Sequence, residues 1–251
     1  EKKPKVVEGI DKIIDWLNHH DTYATFFVVG ELLEYEPEIL DKIIENGHEI
    51  GFHTMHHTRL DTLNFKEKFE EEIKIFNEIT SGKSKGFRAP TFSLNESSNW
   101  LIDVLEESKY QYDSSVVPAK TSMYGLPNAD KKPYKISSRS LEQEDSESNI
   151  IEFPILATKF LGKKIPAGGG FYVRTLPQKI ITNAIKAYEK NNTPSTFYIH
   201  SWELTPEHMP RIKLSKMDSF ITYHNIEKTL SKMDNLLKKF SFTSFERFLK
   251  N

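Results

Sequence analysis

Residues 23–57 read YATFFVVGELLEYEPEILDKIIENGHEIGFHTMHH, and this stretch decides the fold. Tyr23 to Val29 is a continuous apolar run rich in β-branched and aromatic side chains. A strand covered on both faces, as in a parallel sheet, has that composition. Pro37 then opens a helix carrying Ile39, Leu40, Ile43 and Ile44, and Gly47 stops it. His48 to Phe52 is the next strand. Strand, helix and strand in succession are the repeat of a parallel α/β fold.

The alternation continues on both sides. Val7, Ile10, Ile13, Ile14 and Leu17 recur at helical spacing, so residues 6–19 form an amphipathic helix. Phe65, Phe69, Ile73, Phe76 and Ile79 mark a long helix that stops at Ser81-Gly82. Lys85 to Arg88 is a short strand, Asn99 to Glu107 a helix, and Tyr110 to Ser114 a strand. Beyond residue 115 the pattern weakens. Ser137 to Asn149 is polar, with Leu141 its one large apolar residue, and reads as an exposed loop. Strands are expected over Ile150–Phe153, Phe171–Val173 and Ser195–His200, the last of them buried. A helix is expected over about 178–190. Ile226, Leu230, Met233, Leu236 and Leu237 give a final helical stripe. No linker, repeat or low-complexity tract splits the chain, so residues 1–251 are expected to form one domain, a barrel or a doubly wound sheet.

Bulk composition narrows the function. With 34 basic and 36 acidic residues the net charge is -2, which offers no field for a polyanion, so nucleic acid is not an expected partner. The chain has no cysteine, which removes disulfides, thiolate chemistry and cysteine-ligated zinc. No apolar stretch approaches the ~18 residues that span a bilayer. The basic start Glu1-Lys2-Lys3-Pro4-Lys5 is not followed by a signal-type apolar run, and the compartment stays open between cytoplasm and cell envelope.

Three polar clusters fall at the ends of expected strands: His53 and His57; Arg88-Ala89-Pro90 followed by Thr91-Phe92-Ser93; and His200-Ser201-Trp202-Glu203. In a parallel sheet all three open on one face, where such folds build their sites. His53 and His57 are four residues apart, and one helical turn would bring their rings to one side. Neutral imidazole is the commonest ligand for zinc and its neighbours. Two histidines still need a further ligand, usually a carboxylate for hydrolytic chemistry. A histidine across the pocket can protonate a leaving group, and an arginine fork can orient a carboxylate. His48-Glu49 resembles the start of His-Glu-x-x-His, but the next histidine is His53, one residue too late. His56 is expected to be a bystander. Gly168-Gly169-Gly170 lacks the context of a phosphate loop and is expected to be a tight turn in the pocket wall.

Ala24-Thr25-Phe26-Phe27-Val28-Val29-Gly30, the segment Gly47 to His57, Arg88-Ala89-Pro90 and the strand ending at His200 together resemble the polysaccharide deacetylase family, the NodB-homology domain of carbohydrate esterase family 4. Tyr112-Asp113-Ser114-Ser115, the run Ile165 to Arg174 and His200-Ser201-Trp202-Glu203-Leu204 resemble its exopolysaccharide-cluster subgroup, in which a C-terminal extension follows the core. Here the core would cover about 1–204 and the extension about 205–251. The resemblance implies a distorted (β/α) barrel holding a divalent metal, usually zinc, that removes N-acetyl groups from an amino-sugar polymer or its precursor.

Carried over residue by residue, it makes His53 and His57 metal ligands. It gives Arg88 the positioning of the catalytic carboxylate and His200 the protonation of the departing amine. Asp113 would bond His200 or the substrate. Phe92, Tyr172, Arg174 and Trp202 would line the substrate. The family's acidic motif, which supplies the base and the third metal ligand from the first strand, is not recognisable. Asp11 lies on the first helix and Asp21 at the wrong end of a strand. We expect the strand bearing that motif to precede Glu1. Two alternatives accompany this reading. One is hydrolysis of a cyclic amide on the same scaffold, favoured by a closed pocket over a long groove. The other is a carbohydrate-binding relative without catalysis.

Overall fold

A computed structural model describes residues 4–250; Glu1 to Lys3 of the basic start and Asn251 lie outside them. In chain order the first half runs α1 (Lys5–His19), β1 (Thr25–Val28), α2 (Gly30–Tyr35), α3 (Glu38–Glu45), β2 (Glu49–Phe52), α4 (Phe65–Ile79), β3 (Gly86–Phe87), α5 (Trp100–Glu107) and β4 (Tyr112–Asp113). The second half has β5 (Tyr134–Ile136), β6 (Ile150–Glu152), β7 (Ala157–Phe160), β8 (Lys163–Pro166), α6 (Gly170–Thr175), α7 (Gln178–Glu189), α8 (Ser201–Leu204), α9 (Lys216–Tyr223), α10 (Thr229–Leu237) and α11 (Phe245–Leu249).

Six strands form one sheet in the order β1-β2-β3-β4-β6-β5, parallel except for β5 on β6. Phe52, Phe69, Phe76 and Phe87 pack between the sheet and α4, with the Phe52 and Phe76 rings 4.5 Å apart. Their burial explains the helical phase of α4, since Phe65, Phe69, Ile73 and Phe76 all fall on its inner face.

Several elements depart from the sequence-based expectation. β1 is half-buried along most of its length rather than fully covered, because it is the sheet's edge strand. Phe171–Val173 lies within α6, not in a strand. The segment Ser195–His200 is extended but only half-buried. It is tied by isolated parallel bridges, Ile155 to Thr196 and Gly169 to Tyr198. Gly169 makes the second bridge possible: its φ is 147°, and a Cβ there would sit 1.8 Å from the Tyr198 carbonyl oxygen. Leu141 is buried within its otherwise polar loop, whose flank forms β5. The β7–β8 hairpin turns through Leu161 (φ 48°) and Gly162 (φ 78°), both left-handed, as a two-residue primed turn requires. Its first turn residue is leucine instead of asparagine or aspartate, so the usual hairpin signal is missing. Among the described residues no strand pairs with the outer edge of β1, and no helix is long and apolar enough to cross a membrane.

Candidate active site

A groove of about 1110 Å³ opens where the parallel strands end. His53, His57, Arg88 and His200 all line it, as do Phe92, Tyr172 and Trp202. The groove then continues between β1 and Ser195–Ile199 over apolar side chains such as Phe27, Phe197 and Phe242.

β2 delivers His53, whose backbone N–H still pairs with Val28 O at 3.1 Å. Then the chain leaves the sheet in a loop, not the helical turn that the four-residue spacing suggested. Thr54 and His57 both adopt left-handed conformations, with φ 58° and 55°. For a β-branched residue such as Thr54 this is strained, by roughly 1–3 kcal/mol, and such strain survives only where neighbours fix it. Here Thr54 Oγ1 accepts the Thr58 N–H at 3.0 Å, and the buried Glu72 carboxylate of α4 accepts the Met55 N–H at 2.9 Å. The result is a His53–His57 ring separation of 4.9 Å.

His53 Nδ1 donates to the Arg88 carbonyl at 2.6 Å, so Nε2 is the nitrogen with a lone pair to offer. Burial pushes the His53 imidazole down to about 3, with the Arg88 carbonyl opposing and the His57, Arg88 and His200 charges adding. His57 is also lowered, by burial and then by His200. Both rings are therefore held neutral, the form that binds metal. The donor set suits zinc or a similar divalent ion in these two positions. Among the described residues no third His, Cys, Asp or Glu joins them in a metal-sized group.

Arg88 follows β3 and is buried. Its Nε donates to Ser114 O at 2.9 Å and Nη2 to Ser114 Oγ at 2.6 Å, and its guanidinium lies 4.3 Å from the Phe27 ring centre. Burial lowers it to about 10, partly offset by Tyr112, Tyr198, Glu152 and Asp113, so it remains a cation at neutral pH. His200 ends the Ser195–His200 segment. Its side chain is 48 % exposed, and its ring stacks on Trp202 at 5.0 Å and 15°. Phe92 packs edge-on against Tyr198 at 4.9 Å.

Two expected roles need correction. Asp113 is fully buried beneath this wall and lines no part of the groove, so it touches neither substrate nor His200. It accepts from Ser115 Oγ at 2.6 Å and sits beside the equally buried Glu152. Arg174 reaches the groove lining but is only 2 % exposed. Its guanidinium is occupied by Glu203 and by carbonyls of the C-terminal segment, so it does not face substrate.

The supporting roles of three residues escaped sequence reasoning, although Glu203 stands in the third polar cluster. Glu72 could have been noticed as a charge on the apolar face of its helix. Glu203 sits three residues after His200 and reaches back to its N–H at 3.1 Å, as a capping-box glutamate does. Glu152 gives no such sign. Glu49, set in the rejected zinc-protease pattern, accepts from Tyr112 Oη at 2.7 Å and from the Glu246 N–H at 2.9 Å, and so braces α11.

Comparison with known proteins places the chain in a family. The family model described as Polysaccharide deacetylase matches residues 3–112, and the model described as Domain of unknown function (DUF3473) matches residues 114–250. The chain belongs to the polysaccharide deacetylases that carry a DUF3473 domain. A peptidoglycan-N-acetylglucosamine deacetylase of Bacillus cereus is 38% identical over 87 residues, which is 34% of this chain and 32% of that one. The peptidoglycan-N-acetylmuramic acid deacetylase PdaC of Bacillus subtilis is 36% identical over 89 residues, 34% of this chain and 19% of that one. These alignments thus span a third or less of each relative's length. Among solved structures, a protein assigned as a polysaccharide deacetylase from Mycobacterium smegmatis superposes with a TM-score of 0.59. It is 15% identical, with 96% of this chain and 76% of that one covered. Puue Allantoinase gives a TM-score of 0.57 at 13% identity, covering 94% and 68%. At these identities the likeness is one of fold, the distorted α/β barrel expected from the sequence.

Proposed function

We propose that this family member is a metal-dependent N-deacetylase that hydrolyses acetamide groups on an amino-sugar polymer or its precursor. The observation that carries the proposal is the convergence of His53, His57, Arg88 and His200 on one groove.

His53 and His57 would hold a divalent ion, zinc in the first instance, with a carboxylate as further ligand. The gap beside the free edge of β1 is where a carboxylate-bearing strand would fit. When bound, the ion would supply Lewis-acid activation of water and of the acetyl carbonyl. Arg88, fixed through Ser114, would orient a carboxylate base by its charge and planar fork. His200, in its doubly protonated imidazolium form, would hold at Nε2 the proton that goes to the amine. As water adds to the acetyl carbon, one of its protons would pass to that carboxylate base; as the C–N bond then breaks, the Nε2 proton of His200 would pass to nitrogen, leaving acetic acid, which ionises, and a free amino sugar. Trp202, Phe92 and Tyr172 would present ring faces and edges to the sugar.

The test is acetate release from N-acetylglucosamine oligomers and from peptidoglycan, with zinc and after chelation, using a cyclic amide as control. Zinc-dependent release from the glycans supports the proposal. Turnover of the cyclic amide alone overturns it, and so does glycan binding without release in the zinc-loaded protein.

A further inference from the structure

The side chains behind His200 form a buried, charged chain that ends on the C-terminal segment. Glu203 Oε2 lies 2.7 Å from His200 Nδ1 and accepts the His200 backbone N–H at 3.1 Å. Glu203 is fully buried, and its other oxygen is 2.6 Å from Arg174 Nε. The pair meets as charges, with the N–H not aligned as a hydrogen bond. Arg174 Nη1 donates to Thr222 O at 3.1 Å and His224 O at 2.9 Å, and Nη2 donates to Ile221 O at 2.8 Å. Lys232 of α10 then clamps α6, its Nζ reaching the carbonyls of Val173, Arg174 and Leu176 at 2.8, 3.0 and 2.9 Å.

Burial would raise the Glu203 carboxyl. The His200 hydrogen bond and charge, the Arg174 charge and the His200 backbone N–H together hold it below its ordinary value. It therefore stands as a carboxylate, which only accepts hydrogen bonds, so His200 Nδ1 must carry a hydrogen. The ring cannot easily turn away from this partner, because Trp202 stacks on it and Tyr198 meets it edge-on at 5.5 Å. Exchange between Nδ1 and Nε2 would also strand a buried carboxylate.

Resting on the deacetylase reading, we infer that Glu203 is the positioning residue for His200, fixing Nδ1–H inward and Nε2 as its groove-facing atom. Through Arg174, this mounting is tied to the carbonyls of residues 221, 222 and 224. The C-terminal segment is thereby part of the acid's support and not only an appendage. A glutamate three residues after the histidine takes the orienting role that the sequence had offered to Asp113.

Two measurements on the whole protein test this. Glu203→Gln keeps the shape and removes the charge, and kcat should fall roughly 10²-fold with KM within about twofold. Glu203→Asp keeps the charge and should recover part of that loss. Nitrogen-15 NMR of histidine-labelled protein, with His200→Ala to assign the signal and at a pH where the ring has given up its Nε2 proton, should show the Nδ1–H tautomer in the parent and its loss in Glu203→Ala. Parental kcat in Glu203→Gln, alongside an inactive His200→Ala, overturns the positioning role and leaves the deacetylase reading standing. Full activity in His200→Ala removes the acid role from that reading, and the NMR signal then decides on its own whether Glu203 sets the ring. A neutral His200 ring that carries its hydrogen on Nε2 in the parent overturns the inference outright.

Discussion

His53 and His200 line one groove, yet the fold holds them by unlike means. His53 donates to a main-chain carbonyl, that of Arg88, which belongs to the next strand connection of the same sheet. His200 leans on a side-chain carboxylate whose own partner anchors a distant segment. A backbone acceptor survives any single substitution, whereas a side-chain acceptor can be deleted. The first-half station is thus built into the sheet, and the second-half station is assembled from side chains. The same contrast runs through the molecule. Every strand pairing before residue 115 is parallel, while β5, β7 and β8 pair antiparallel and Ser195–His200 is held by isolated bridges.

The sharpest break in the comparison is His53→Ala. It removes a proposed ligand and leaves its backbone partner in place. Zinc affinity by calorimetry and acetate release should both fall by more than about 10²-fold, beyond the usual effect of disturbing a ligand's support. Far-ultraviolet circular dichroism should not change, since the loop is also held by Glu72. Unchanged zinc binding would remove His53 from the metal site.

Glu72→Ala attacks the side-chain brace that the loop receives from α4. Loss of the acceptor leaves the Met55 N–H buried without a partner, at about 1–3 kcal/mol of stability in urea unfolding. Zinc affinity should drop with it, because the left-handed Thr54 and His57 lose their constraint. Glu72→Gln keeps an acceptor and should lose less on both counts. Equal losses for the two variants would mean that the carboxylate acts by charge alone.

A smaller effect comes from beneath Arg88. Burial raises the Asp113 carboxyl to about 6, opposed by bonds from Glu152, Ser115 and Ser114 and by the Arg88 charge. Burial and the Asp113 charge drive Glu152 higher still. Both groups bind protons more tightly folded than unfolded. Their stabilisation is full below the ordinary carboxylate range and is lost as pH rises through the folded value. The unfolding midpoint should therefore slip as pH climbs from about 4 past 6. Asp113→Asn, whose amide can donate to Glu152 and still accept from Ser115, should flatten that slope. An unaltered slope would place the effect elsewhere.

How much of this was legible follows the same divide. The alternation from Val7 to Tyr112 could be read because each strand is a compact apolar run and each helix shows one buried face. The clusters at His53, Arg88 and His200 could be read because strand ends carry function in such folds. What stayed hidden depends on tertiary partners. Phe171–Tyr172–Val173 has a strand's composition, yet it turns as a helix after Gly169 and Gly170, the second at φ 53°. Arg174 has the look of a substrate contact until the fold brings Glu203 and three carbonyls around it. Asp113 likewise needs Glu152, a residue 39 positions later in the chain, to explain it. Spacing reveals which residues share an element, but not which buried charges will find one another.

The least disruptive substitution is His56→Ala, and it sharpens the comparison by its silence. His56 lies between the loop's left-handed residues and only one position from His57. It nevertheless points outward, its Nδ1 3.0 Å from Glu31 Oε2, with both side chains close to half exposed. An exposed pair of this kind contributes roughly 0–1 kcal/mol. His56→Ala should then leave zinc affinity and acetate release within about twofold of the parent, since removing an exposed contact costs at most that energy. The unfolding midpoint should hardly move. If the variant instead lost metal binding as His53→Ala does, the third position of the metal site would belong to His56. The loop would then have to rearrange on binding, and the rigid mounting inferred for the first-half station would be wrong. A flat result confines the function of this histidine-rich loop to the two residues whose rings face each other across 4.9 Å.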